Sequence, residues 1–268
     1  MNFIFQLIDS ETSLDMCFQI ERAKEYWDWK NPDDTFELWG CSLEEIDKVS
    51  EHIDSYVYSN LYTSFKPEEW CPIGTVEFVE KYLRTYFGDA IADKAMIPLN
   101  VPECFLKNKM NTGRYIENAL LTDEYVKESD TNKYFFKDNG RIKNALNGIM
   151  TVKEAQQAGL YNVQISTLIK EKHNASEWRV FIHNGKAVDI KNYAGNPFVF
   201  PDKEAIDSYM YQLDDSLKEG TLDVYVDTID VETYVMECHK FFSCGLYGFD
   251  QLDILPLMFW RTYQNLIK

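Results

Sequence analysis

The stretch FIHNGKAVDI constrains this chain more than any other. Asn184 and Gly185 stand between two apolar runs, and both tolerate the positive φ of a two-residue type I′ turn, so the flanking residues form an antiparallel hairpin. Alternation along SEWRVFIHNGKAVDIKNYAG then places Glu177 and Arg179 on one face of the first strand and Trp178 and Val180 on the other. Lys191 stands on the partner strand. Further strands are read in KYFFK, NVQISTLIK and LDVYVDTIDVETYVMECHKF, with helical DKEAIDSYMYQLDDSLKEG among them. Together these elements make an α+β unit over residues 116–268.

Residues 1–115 read differently, as an α/β region. NFIFQLI is a short buried strand. In CSLEEIDKVSEHI, Ser42 and Glu45 hold the S-x-x-E relation in which hydroxyl and carboxylate each satisfy a free backbone N–H, so a helix starts there. GTVEFVEKYLRTYFG puts Val76, Val79, Leu83 and Tyr86 on one helical face, with Gly88 placed to end it. A 45% hydrophobic and 15% aromatic content is enough to give both parts a packed core.

Charge narrows the function classes. With 44 acidic against 27 basic residues the formal net charge is −17, which excludes a general nucleic-acid or anionic-membrane surface. A phosphate-bearing ligand therefore needs a local basic pocket. No run approaches the roughly 20 apolar residues that span a bilayer, and the opening MNFIFQLIDSETSLD lacks a basic flank and a small-residue cleavage site, so a cytoplasmic location is expected. The six cysteines are scattered without a CxxC pair, as reduced thiols are.

The candidate chemistry lies in the second region. In YVMECHKFFSCGLYGFD, period two puts Thr233, Val235, Glu237 and His239 on one strand face and Tyr234, Met236 and Cys238 on the other. Zinc held by Cys238, His239 and Cys244 would require that strand to break. Asp227, joined to Glu237 through the short IDVE connection, is expected beside it, as a pair suited to magnesium; the alternative is two solvated carboxylates. KYFFKDNGRIKNALNGI carries Lys137 and Lys143 across a loop containing Gly140 and Arg141, which reads as a phosphate cradle or as a solvated basic turn. Arg179 reads either as a phosphate clamp or as an ion-pair partner of Glu177. The aromatic FFSCGLYGF either lines an acceptor pocket or packs LPLMFWRTYQNL against a sheet.

Taken in order, Lys137 before its loop, VQISTLIK, SEWRVFIHNGK and Asp227 followed by VMECH resemble the ATP-grasp superfamily. The pattern is similar to a small, often phage-associated clade related to RimK-type ligases, and the similarity reaches the N-terminal region through CPIGTVEFVEKYL and NTGRYIEN. The resemblance implies ATP held between two α+β subdomains, next to an N-terminal pre-ATP-grasp α/β domain. It implies Lys137 and Lys143 at the phosphates or adenine, and the backbone around Thr167 and Leu168 at the adenine edge. Arg179 and Lys191 would be the catalytic pair that holds the γ-phosphate and an acyl phosphate. Asp227 and Glu237 would bind Mg2+. The family closes its metal site with Glu-x-Asn, and here His239 takes the third place; its nitrogen suits manganese or zinc better than magnesium.

The implied activity is carboxylate–amine ligation, in which ATP converts a carboxylate to an acyl phosphate and an amine displaces phosphate to give an amide. Small-molecule or peptide substrates, or a protein terminus, are the implied partners, in the cytoplasm or in a host cytoplasm if the chain is phage-encoded. Two other readings stay open: a non-catalytic nucleotide-binding or interaction protein with a degenerate site, and a phosphoryl transferase using the same pocket. The oligomeric state is left open.

Overall fold

The computed structural model describes residues 1–7, 15–58, 64–125, 131–169, 175–227 and 231–268. The chain divides into two compact units, Met1–Ala95 with Phe241–Lys268, and Met96–Lys240. The sequence places its boundary near residue 116. By compactness the chain parts after Ala95, and the last 28 residues return to the first unit.

In the first unit β1 (Asn2–Gln6) is followed by α1 (Asp15–Lys30), β2 (Leu38–Cys41), α2 (Val49–Tyr58), β3 (Trp70–Ile73), α3 (Val76–Phe87) and α4 (Asp89–Ala95). The three strands form a parallel sheet in the order β2-β1-β3. A parallel strand buried on both faces needs a continuous apolar run, which Phe3, Ile4 and Phe5 supply. Thr75 accepts from the Phe78 amide and caps α3, Gly88 ends it at φ 83°, and Val76, Val79 and Leu83 are buried as their spacing predicts. Glu45 accepts the Ser42 amide at 2.9 Å as expected, but the first turn is 3₁₀ over Ile46–Lys48, and α2 starts only at Val49.

The second unit runs through α5 (Glu103–Leu106), β4 (Ile116–Leu120), β5 (Tyr134–Asp138), β6 (Gly148–Met150), α6 (Val152–Gln157), β7 (Asn162–Ser166), β8 (Ser176–His183), β9 (Lys186–Ala194), α7 (Lys203–Gln212), β10 (Gly220–Val226) and β11 (Thr233–His239). It holds two four-stranded antiparallel sheets, β4-β7-β5-β6 and β11-β10-β8-β9. The β8–β9 turn has Asn184 at φ 52° and Gly185 at φ 69°, the left-handed pair that its sequence predicts.

One face of the second sheet is core. Trp178, Val180 and Ile182 of β8, Leu222, Val224 and Val226 of β10, and Val235 and Cys238 of β11 pack with Phe105, Ile206 and Tyr209. Alternation predicts Val235 and Cys238 on opposite faces, yet both are in this core. The cause is a β-bulge: Asp223 pairs with Glu237 but Val224 pairs with Val235, so Met236 has no opposite partner. The slip leaves Glu237 and His239 together on the open face, as expected, and turns Thr233 and Val235 away from them.

The segment just before α5 ties the two sheets of this unit together. The Asn100 carbonyl accepts the Cys238 amide at 2.7 Å, its side chain donates to the Asp138 carbonyl at 3.1 Å, and the Val101 amide donates to the Gln164 side chain at 3.0 Å. Thus β11, β5 and β7 are held to one backbone strip, which brings Lys137 of β5 to Glu237 of β11.

The last helix, α8 (Leu255–Leu266), belongs to the first unit. Phe241, Phe242, Cys244, Leu246 and Phe249 before it are buried, and the Phe241 and Phe259 rings lie 4.7 Å apart. The aromatic tail is therefore packing material. No helix among the described residues is long and apolar enough to cross a membrane.

Candidate functional site

Register builds the site. Glu237 of β11 faces Asp223 of β10, Asp223 faces Arg179 of β8, and Arg179 faces Lys191 of β9. Four charged side chains therefore cross one sheet in a row, on the face opposite the core. Cross-strand neighbours stand roughly 5 Å apart at Cβ, near enough to act as one electrostatic unit.

At the centre, Arg179 forks onto Asp223, with Nε to Oδ1 and Nη2 to Oδ2 both at 2.8 Å. The two side chains are 6% and 2% exposed, which makes this a desolvated bidentate pair rather than a surface one. Burial alone would raise the Asp223 carboxyl. The Arg179 fork and His239 outweigh it and hold Asp223 below the usual carboxylate range.

Lys137 reaches the row from the other sheet and forms an ion pair with Glu237. Burial first, and then the Arg114 guanidinium, push the Lys137 ammonium down to about 8, with Asp223 opposing. His239 Nε2 lies 3.3 Å from Asp223 Oδ2 and 3.4 Å from Glu237 Oε1. It is shielded from solvent and makes no well-formed hydrogen bond to either. Lys191 pairs with Asp189 at 3.0 Å on its own strand, and Arg179 lies 5.8 Å from the centre of the Tyr193 ring.

Asp223, Glu237 and His239 each offer a ligand atom within 4.8 Å of the other two. Ligands at about 2.1 Å from a small divalent ion lie at most about 4.2 Å apart, so an adjustment of well under 1 Å would close them on one. A shielded imidazole nitrogen without a hydrogen bond, between two carboxylates, fits a cation.

Several expectations are corrected here. The aspartate beside Glu237 is Asp223, not Asp227. Asp227 lies past the last β10–β11 pair, Val226 with Thr233, where its amide donates to the Glu232 carbonyl at 3.0 Å. At about 3.3 Å per residue it is some 13 Å along the strand from Asp223. Half of the IDVE connection whose shortness suggests Asp227, residues 229 and 230, is outside the described residues. Arg179 is held by Asp223, not by Glu177 alone, so both its expected phosphate role and its ion pairing centre on that fork. Lys143 is on an exposed turn at φ 56°. The Thr167 amide is already bonded to the Tyr115 carbonyl at 3.0 Å, and Leu168 beyond it is 41% exposed.

Arg114 was missed. It precedes β4, donates from Nη2 to the Met236 carbonyl at 3.3 Å, and stands 5.7 Å from the centre of the Tyr225 ring. Its Nε and Nη1 are buried and reach no hydrogen-bond partner among the described residues, and burial lowers its pKa. Two buried donor nitrogens without a partner, on a half-buried cation beside Lys137, suit an anionic ligand with several oxygens.

Residues 111–257 match a family described as an ATP-grasp domain, family 2 of its clade. No curated protein matches the sequence. Among solved structures, D-cycloserine synthetase DcsG is similar at 10% identity and a TM-score of 0.50, over 100% of both chains. N5-carboxyaminoimidazole synthetase from Staphylococcus aureus is similar at 9% identity and 0.50, over 98% of this chain and 77% of that one. Rhizobium etli pyruvate carboxylase is similar at 11% and 0.50, where this chain spans all of its own length and 29% of the other. At such identities the likeness is one of fold.

Proposed function

This chain belongs to the ATP-grasp domain family that its residues 111–257 match, and from that premise we propose that it joins a carboxylate to an amine at the expense of ATP. The observation that carries the reading is the register that lines up Glu237, Asp223, Arg179 and Lys191, with Lys137 meeting the row from the other sheet and Arg114 from the segment before β4.

In this reading the substrate carboxylate attacks the γ-phosphorus of ATP; an O–P bond forms and the bond to ADP breaks. The amine then attacks the acyl carbon, phosphate leaves with the bonding pair, and the nitrogen loses a proton. Asp223, Glu237 and His239 would hold the divalent ion. When bound, Mg2+ or Mn2+ would neutralise charge on the phosphoryl oxygens. Lys137 and Arg114 bind the polyphosphate with fixed positive charge. Arg179 and Lys191 steady the transferred phosphoryl group, Arg179 turning part of its fork from Asp223 to phosphate oxygens. Residues 96–240 would form the nucleotide-binding part, and small-molecule or peptide carboxylates and amines are the partners.

The test measures ADP and phosphate release from ATP with panels of carboxylates and amines. Release of both products together, only when carboxylate and amine are both present, supports ligation. Nucleotide binding without turnover across a broad panel would support a binding protein, and ADP formation with a stable phosphorylated acceptor would support a phosphoryl transferase.

A further inference from the structure

We infer that His239 makes the Asp223–Glu237–His239 cluster a nitrogen-bearing cation site selective for first-row transition ions over magnesium. This rests on the reading that the site binds nucleotide with a divalent ion.

Geometry fixes the nitrogen. The bulge at Met236 turns Glu237 and His239 to the open face, and the backbone between them is pinned by the Cys238 amide on the Asn100 carbonyl at 2.7 Å. His239 is also in register with Thr221 of the central strand β10. The ring is thus carried by a strand held from both sides, and its Nε2 is aimed between two carboxylates at 3.3 and 3.4 Å. Such placement lowers the reorganisation needed to bind an ion.

Donor chemistry then chooses the ion. Magnesium is a hard cation that prefers oxygen and retains its waters, so an imidazole in the ligand set gains it little. First-row transition ions gain from the same nitrogen, increasingly so along the series from manganese to copper. Asp223 and Glu237 supply the oxygens that keep the site within reach of manganese, the weakest binder of that series. The cluster lies where internal cations already balance its carboxylates, Arg179 on Asp223 and Lys137 on Glu237. An ion that draws extra binding from the nitrogen competes better against those partners than one that relies on oxygen alone.

The experiment uses the full chain with a non-hydrolysable ATP analogue and Mn2+ as a paramagnetic probe. Free Mn2+ is read by electron paramagnetic resonance, and Mg2+ affinity by competition, in the wild type and in His239→Gln. Gln keeps an oxygen donor close to where Nε2 stands. The expected result is a fall in the Mn2+-over-Mg2+ preference of about tenfold or more in His239→Gln, at least the loss that follows removal of a group merely supporting a ligand. Chains carrying ¹⁵N-histidine, read by electron spin echo modulation, should show histidine nitrogen coupled to bound Mn2+ in the wild type and none in the variant. Mn2+ bound without histidine coupling, or an unchanged preference with the variant folded, overturns this inference and leaves the nucleotide-site reading standing. Absence of divalent-ion binding with the analogue overturns both.

Discussion

Asp223 sets the electrostatics of the site. Its carboxylate is the counter-charge of a buried guanidinium, so removing the charge strands Arg179 in a desolvated place, a loss of about 3–5 kcal/mol for pairs of this kind. Asp223→Asn should therefore lower the urea midpoint strongly. The sign with pH follows from the depressed pKa. A carboxylate held below its unfolded value contributes its stability above that value and loses it as pH falls through the folded one. The gap between wild type and Asp223→Asn should hold at neutral pH and narrow only below about pH 4. Equal midpoints at pH 7 would mean that the fork carries no stability. Sequence could have pointed here: an aspartate inside the apolar run LDVYV must be buried and therefore paired. The short connection after β10 points to Asp227 instead, whereas the burial of the strand points to Asp223. Arg114 gave no comparable sign, since its partners, Met236 and Tyr225, are more than a hundred residues away in sequence.

Among the elements, the β8–β9 hairpin was the most legible and the bulge in β11 the least. A hairpin announces itself through residues that tolerate positive φ, whereas this bulge uses a methionine that would suit any strand position. Helix α1 also leaves little trace in the sequence, because the side chains it buries, Cys17, Gln19, Ile20 and Ala23, make a weak apolar stripe. The hairpin carries Arg179 and Lys191 on facing strands, and a glycine stands at each end of it. Gly185, at φ 69°, would place a Cβ 3.2 Å from the flexible Lys218 side chain, which can move aside. Gly185→Ala should then cost about 1 kcal/mol, chiefly for the left-handed backbone. Gly195, at φ 77°, would place a Cβ 2.0 Å from the Ala175 carbonyl oxygen, which cannot move without displacing the start of β8. Gly195→Ala should cost well above 2 kcal/mol, since backbone strain and a backbone clash add. Thermal midpoints of the two variants, compared side by side, check the order; a Gly195 variant as stable as the Gly185 variant would contradict it.

For the whole molecule, the fold class and the ATP-grasp membership were readable because they depend on the order of strands and charged positions along the chain. Which residues make a compact unit depends on contacts between distant segments, which leave no local pattern; residues 241–268 therefore read as the end of the second region although they complete the first. Phe241, Phe249, Phe259 and Tyr263 are almost wholly buried there, and Cys71 Sγ lies 3.6 Å from the Phe259 carbonyl. Losing a single buried aromatic side chain costs about 3–5 kcal/mol, and a domain has only about 5–15 kcal/mol of stability, so a chain ended after Lys240 should lose its first unit. Thiols report this unit by unit. All six cysteines are free; burial pushes Cys17 and Cys41 up to about 12 and Cys71 well above its ordinary value, so in the intact chain these three should resist alkylation. In the shortened chain they should label at the rate of an unfolded peptide. Cys238, buried in the core between β10, β11 and α7, should stay protected there, because every side chain of that core lies within residues 96–240. Protection of Cys17, Cys41 and Cys71 in the shortened chain would show that the first unit stands without its returning helix. Labelling of Cys238 along with them would show that the second unit depends on the first for its own stability.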